Sequence, residues 1–389
     1  MEVPQDIAFE IFSWLPAKSI CKLQPTCNSF TKFKEETIFK TKQSRNLLGK
    51  DDTCLIIQPD KISQRYVIKR VELHSLPKHR QSSGVPNNVL NFLSNSVSVI
   101  ASNNGLVLCH TIDNDPVKLF ISNPITKSWS FIPTPESLQG NNNFTNVNLV
   151  LHCTLDDYQV FLFDNTTMEF GPPTTFTCSV YSGKEGVWKT MKHDFMPGGR
   201  DIKFDMPIFH NGALHFISTN GRCFVRHSRF YEPYIMSYNL ENGISSMLSL
   251  PREAIEGWEC DYACNMGIFN WGKASNSNQS ICLVNLRKPM FTIWYLKDYE
   301  SALWEKVLDV NVKELGLKEK YHDIRGFTVM NGNLLVFATE EKVYSCGLDD
   351  EIFMMVEEVC QHSCGFNPRF ISYSDTLRSC EINAKNMPC

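Results

Sequence analysis

Three Asn-Gly pairs, each leading into an apolar run, constrain the fold of this chain more than any other feature. Asn104-Gly105 precedes Leu106 to Leu108, Asn211-Gly212 precedes Ala213 to Phe216, and Asn331-Gly332 precedes Leu334 to Phe337. Asn and Gly both tolerate the positive φ of a two-residue hairpin turn, so each pair predicts a tight β-hairpin. The pairs stand 107 and 120 residues apart, and comparable apolar runs, Val147 to Leu151 and Met266 to Phe269, lie near the midpoints. The underlying repeat is therefore about 50 to 60 residues long.

A second element recurs within each repeat. Phe120 to Trp129 reads as a strand, a polar turn and an aromatic-led strand, and the outline returns at Cys178 to Trp188, Ile235 to Ile244, Phe291 to Trp304 and Lys342 to Phe353. A sixth unit can be assembled from Thr53 to Gln58 and Arg65 to His74 if a terminal strand, Arg369 to Tyr373, joins them. Closing such units into a ring removes the sheet edges that invite aggregation. The expected fold is mainly β, a β-propeller over residues 46–380 with six blades preferred to seven, followed by a tail at 381–389. Helical period within this body is confined to Val312 to Lys320, and Trp129, Trp188, Trp294 and Trp304 are expected between blades.

At 389 residues the chain exceeds one ordinary core, which suits small cores added in series. A net charge of -4 gives no broad positive field, so neither nucleic acid nor an anionic membrane surface is an expected partner. Residues 1–50 nevertheless carry eight Lys or Arg against five Asp or Glu, leaving 30 against 37 for the rest, which marks the N-terminal segment as different. No apolar run reaches the ~18 residues of a membrane span, and Glu2, Asp6 and Glu10 oppose a secretory signal. The expected location is the cytoplasm or nucleus, where the fifteen cysteines read as buried thiols.

Glycine is absent before Gly49, and apolar residues there fall at helical intervals. Ile7, Ile11, Trp14 and Leu15 follow one helix face, with Pro4 at the entry, Asp6 in the first turn and Pro16 closing the run. Ile20, Leu23, Cys27 and Phe30 continue at steps of three and four across Pro25, predicting helices over 17–23 and 25–34. Three short helices in so few residues bury too little surface to stand alone, so they need a partner surface.

Val3-Pro4, Asp6, Glu10-Ile11, Leu15-Pro16, Lys18-Ser19-Ile20, Leu23, Cys27 and Phe30, with Phe39 at the end, resemble the F-box. The Asn-Gly turns and the Asn123 to Trp129 run resemble the F-box-associated, kelch-like domain of plant F-box proteins. The resemblance implies a three-helix F-box at 1–45 that docks on a Skp-type adaptor, and through it on cullin and RING subunits of a ubiquitin ligase. It implies adaptor contacts at Pro4, Ile7, Ile11, Leu15, Pro16, Ile20, Leu23, Cys27 and Phe30, with the propeller binding a protein substrate for ubiquitination. Thr26, Asn28 and Phe30 depart from the family's usual residues, which keeps open a non-ligase interaction scaffold with a divergent F-box.

Catalytic signatures are lacking: there is no phosphate loop, nucleophile elbow, zinc-protease helix or dinucleotide-binding glycine triad, and no cofactor is expected. Cys360, His362 and Cys364 and the pair Cys260 and Cys264 are the nearest approach to metal ligands, and neither cluster supplies the four donors of a structural zinc site. A propeller enzyme is therefore the least favoured reading. Substrate contacts are expected in the loops 133–146, 193–207, 219–233 and 252–262. Within or beside them Arg222, Arg226, Arg229 and Tyr231 offer cations and an aromatic ring to an acidic peptide, and Trp258 and Trp271 offer indoles.

Overall fold

The computed structural model describes residues 4–23, 33, 35–59, 71–77, 97–111, 118–135, 138, 148–165, 175–198, 202–218, 232–256, 265–272, 279–317, 319, 323–348, 356–364 and 368–380. Five antiparallel four-stranded sheets follow one another along the chain. They are β3 (Val97–Asn103), β4 (Leu106–Thr111), β5 (Leu119–Asn123) and β6 (Ser128–Ile132); then β7 (Asn148–Cys153), β8 (Tyr158–Asp164), β9 (Thr177–Ser182) and β10 (Val187–Thr190). The third is β11 (Ile208–His210), β12 (Ala213–Ile217), β13 (Tyr234–Asn239) and β14 (Ser245–Ser249), and the fourth β15 (Asn265–Trp271), β16 (Ser280–Arg287), β17 (Met290–Asp298) and β18 (Leu303–Asn311). The fifth is β19 (Gly326–Met330), β20 (Leu334–Ala338), β21 (Lys342–Gly347) and β22 (Val356–Gln361).

A sixth sheet takes strands from both ends of the body. β1 (Cys54–Pro59) lies between β2 (Glu72–Ser75) and β23 (Pro368–Tyr373), with Cys54 opposite Tyr373 and Pro59 opposite Pro368. The ring is thus closed by pairing the first strand of the body with the last. Apolar side chains collect at every blade interface. Leu108 and Ile121 pack with Leu149 and Leu162, Phe163 with Phe216, and Ile235 with Ile268. Phe291 packs with Phe337, Leu55 with Val336, and Ile56 with Val107. Six such cores require six blades, as the repeat length predicts.

The Asn-Gly pairs make the turns anticipated from sequence. Asn104, Asn211 and Asn331 have φ of 45, 46 and 53°, and Gly105, Gly212 and Gly332 have 79, 73 and 70°, which is the double left-handed geometry of a hairpin turn. They join the two innermost strands of alternate blades. Asn123 forms the recurring polar turn: its Oδ1 accepts the N–H of Ile125 at 2.9 Å while Nδ2 donates to the carbonyls of Thr376 and Arg378. The inner strands surround an axial cavity of about 270 Å³.

Several expectations are corrected here. Among the described residues of 312–320 the only helical turn is the 3-10 turn Val312–Glu314, which Asn311 caps at its start and the left-handed Gly316 (φ 66°) ends. Trp188 and Trp304 do tie neighbouring blades, donating from Nε1 to the carbonyls of Pro133 (2.6 Å) and Ser249 (2.8 Å), and Trp294 is buried. Trp129 is not interior: on the outermost strand of its blade it stays 51% exposed, edge-on to Phe131.

At the N-terminus stand α1 (Gln5–Phe12), α2 (Ala17–Leu23) and α3 (Thr37–Asn46). The helices α1 and α2 match the expected ones, and the expected helix over 25–34 falls almost wholly outside the described residues.

Candidate functional site

The head presents one apolar stripe outward. Ile7, Ile11 and Trp14 recur at i, i+4 and i+7 along α1 and the turn after it, and are 51, 53 and 50% exposed. The other side of α1 turns inward, where Phe9 meets Phe33 at 5.4 Å and Phe39 at 5.1 Å, both edge-on. Ala17, Ile20, Phe33 and Phe39 form a small core. Charged groups border the stripe: Glu10 pairs with Lys42, which lowers the Glu10 pKa, and the Lys50 ammonium sits 5.9 Å from the Trp14 ring.

Of the residues expected to meet an adaptor, Pro4, Ile7 and Ile11 are on the surface, and Leu15, Pro16 and Leu23 are half-buried. Ile20 departs from expectation. It is 1% exposed because α2 turns that position toward Phe39 and Leu377, so it supports the head from within. Cys27 and Phe30 lie outside the described residues. Ile38, with 76% exposure on α3, carries no sequence signal that would have singled it out.

The need for a covering partner is met in part by the chain itself. After β23 the residues 374–380 run between head and propeller as a strap. Leu377 enters the head's core, joined by Ile125 from the β5–β6 turn. The Asp375 carbonyl accepts the Ala17 N–H and its carboxylate the Lys18 N–H, each at 2.9 Å, while Thr376 Oγ1 donates to the Asn104 carbonyl at 2.8 Å. Burial pushes the Asp375 carboxyl up to about 6, countered by the Lys18 backbone bond and the Lys18 charge. Gln43, fully buried in α3, bonds Leu15 and Leu377 together, and Asn104 donates to the Ser44 carbonyl.

These contacts fix the side of the ring on which the head sits. Each blade is an antiparallel meander, so first-to-second and third-to-fourth strand turns share one face, and second-to-third loops and blade crossings share the other. The head touches the turns at Asn104, Ile125 and Asp156, the last through an ion pair with Arg45. All four loops expected to contact substrate, 133–146, 193–207, 219–233 and 252–262, leave from the opposite face, as the described ends of each show.

Arg222, Arg226, Arg229, Tyr231 and Trp258 lie outside the described residues. Trp271 is not brought to the loop face. It ends β15 next to Gly272, whose N–H bonds Gly332, and it lies half-buried and nearly parallel to Tyr295 at 6.2 Å. Its position is that of a packing residue on the head side, because the β15–β16 turn belongs to the same face as the Asn-Gly turns.

Among the described residues no three His, Cys, Asp or Glu side chains gather as a metal site. His362 bonds the Thr339 carbonyl at 3.2 Å, and burial pushes the Cys364 thiol up to about 12, which keeps it protonated and a poor ligand. Cys260 and Cys264 fall outside the described residues. No helix among the described residues is long and apolar enough to cross a membrane.

Relatives were found by sequence. F-box protein At5g49610 of Arabidopsis thaliana is 22% identical over 322 residues, covering 80% of this chain and 79% of its own. Putative F-box/kelch-repeat protein At3g17570 of the same plant is 30% identical over 133 residues, covering 34% of this chain and 32% of its own. Among solved structures, TolB from Acinetobacter baumannii aligns with a TM-score of 0.46 at 13% identity, covering 82% of this chain and 66% of that one. A family model described as F-box protein At3g26010-like, beta-propeller, matches residues 68–316, more than half of the chain and most of the ring described above. The chain belongs to that F-box protein At3g26010-like β-propeller family.

Proposed function

We propose that this protein is a substrate-recognition subunit of a Skp–cullin–F-box ubiquitin ligase, a binding adaptor and not an enzyme. The observation that carries the reading is the outward stripe of Ile7, Ile11 and Trp14 on a head whose other side is already seated on the propeller. Covering the exposed half of three such side chains supplies roughly 1 kcal/mol each, about half the value of full burial, which offsets part of the cost of association. The Skp-type adaptor is the partner assigned to that stripe, and cullin and RING subunits follow through it.

The mechanism asks for no acid, base or nucleophile from this chain. A target held on the loop face stands near a ubiquitin carrier recruited through the head, so transfer becomes effectively intramolecular. Head and loops occupy opposite faces of the ring, and the strap holds that arrangement. The kelch-like character of the ring, its place after the F-box, and residence in the cytoplasm or nucleus belong to the same proposal.

The test is co-purification of the full chain with a Skp-type adaptor and cullin, with accumulation of bound proteins when the proteasome is inhibited. Adaptor binding without accumulation favours the scaffold reading motivated by Thr26, Asn28 and Phe30. Absence of adaptor binding rejects the ligase assignment.

A further inference from the structure

The axial cavity contains a cation that no carboxylate among the described residues contacts. Arg369, near the start of β23, lines the cavity. Its terminal nitrogens donate to the carbonyls of Val99 (3.3 Å) and Ile100 (2.5 Å), where a bulge interrupts the pairing of β3 with β4. Its Nε is enclosed without a hydrogen-bond partner. The acidic group acting on it is Asp205, which also lines the cavity but makes no ion pair with it. A guanidinium remains protonated even when enclosed, and this one is balanced only at a distance, by Asp205, among the described residues.

A second unmet polar group lies beside it. Ser102 also lines the cavity, and its hydroxyl is enclosed without a partner. It stands two residues along β3 from the Ile100 carbonyl that Arg369 grips. Uncharged side chains line the cavity as well. Thr328 comes from the adjacent inner strand, and His152 is held uncharged by burial and stacked on Phe209 at 4.0 Å. The other acidic lining residue, Asp52, sits at the head side, where Ser374 Oγ donates to its carboxyl at 2.7 Å and its backbone N–H bonds Asn331 at 2.7 Å.

We propose that the axial cavity is a binding site for a small anion, whose carboxylate or phosphate group is held by Arg369 and Ser102. Its volume, about 270 Å³, falls just below the ~300 Å³ at which pockets for drug-sized ligands begin, which suits a compact metabolite. This site is independent of the ligase reading and stands without it.

The experiment follows thermal unfolding of the full chain as inorganic phosphate is titrated at constant ionic strength, with chloride as the control. Phosphate raises the midpoint saturably, and Arg369→Gln weakens the response by roughly tenfold or more. Because Arg369 also caps the β3 bulge, a second variant leaves it in place. Thr328→Asp brings a carboxylate to the cavity wall, so it raises the midpoint without phosphate and abolishes the response. A wild-type midpoint that moves no more with phosphate than with chloride overturns the proposal, as does a Thr328→Asp variant that responds like wild type.

Discussion

The side-chain oxygen of Gln43 accepts the backbone N–H of Leu377 at 2.9 Å, while the same amide donates to the Leu15 carbonyl at 3.0 Å. One buried amide therefore joins the third helix of the head, the turn after its first helix and the C-terminal strap. Gln43→Ala leaves a donor and an acceptor enclosed without partners, each costing about 1–3 kcal/mol. Chemical denaturation should show a loss of about 2–4 kcal/mol, and exchange of the Leu377 amide should rise with it.

Deleting residues 1–45 removes the partners of Asp375, Leu377 and Asn104 and uncovers Leu377. The six blade cores stay intact, so the truncated ring should remain folded, with a lower unfolding midpoint than the full chain. An unchanged midpoint would mean that the head contributes nothing to the ring.

Asp375 makes the seating of the head depend on pH. Its folded pKa of about 6 lies above the ordinary 3.8, so the neutral form is favoured in the folded chain. Its contribution is fully present below about 3.8 and is lost as pH rises through about 6. Asp375→Asn keeps an oxygen for the Lys18 N–H and removes the charge. At pH 7 it should be more stable than wild type by roughly 1–3 kcal/mol, with the difference vanishing near pH 4. Unfolding curves across that window decide it.

Three glycines in equivalent turns give a graded series. A methyl group at Gly105 would lie 2.1 Å from Thr376 Oγ1, and one at Gly332 2.0 Å from the Gly272 carbonyl oxygen, whereas Gly212 has nothing within 4 Å. Gly212→Ala should cost about 1–2 kcal/mol for left-handed backbone alone. Gly105→Ala and Gly332→Ala should cost clearly more, because backbone or a buried strap must shift. Equal costs at all three sites would show that the strap and the neighbouring turn yield freely.

What could be read from sequence was whatever rests on local chemistry. Asn-Gly pairs dictate a turn wherever they stand, and the α1 stripe obeys helical period, so the ring and the outward face of the head were legible. The helix α3 over Thr37–Asn46 was not, because its inward side is Phe39, Gln43 and Ser44, two of them polar, and gives no apolar rhythm. The strap escaped for the same reason: Asp375, Thr376 and Arg378 give no apolar rhythm but are buried by partners hundreds of residues away. Trp129 was misplaced because aromatic residues signal burial or binding alike, and only the position of a strand within its blade separates the two.

The central claim is that the α1 stripe is a partner surface rather than part of the protein's own core. Affinity for a purified Skp-type adaptor, measured on the full chain and on Ile11→Asp, tests it most directly. The account predicts that Ile11→Asp unfolds within about 0.5 kcal/mol of wild type, as exposed substitutions do, yet loses adaptor binding by roughly tenfold or more. An Ile11→Asp protein that binds the adaptor as tightly as wild type would contradict it.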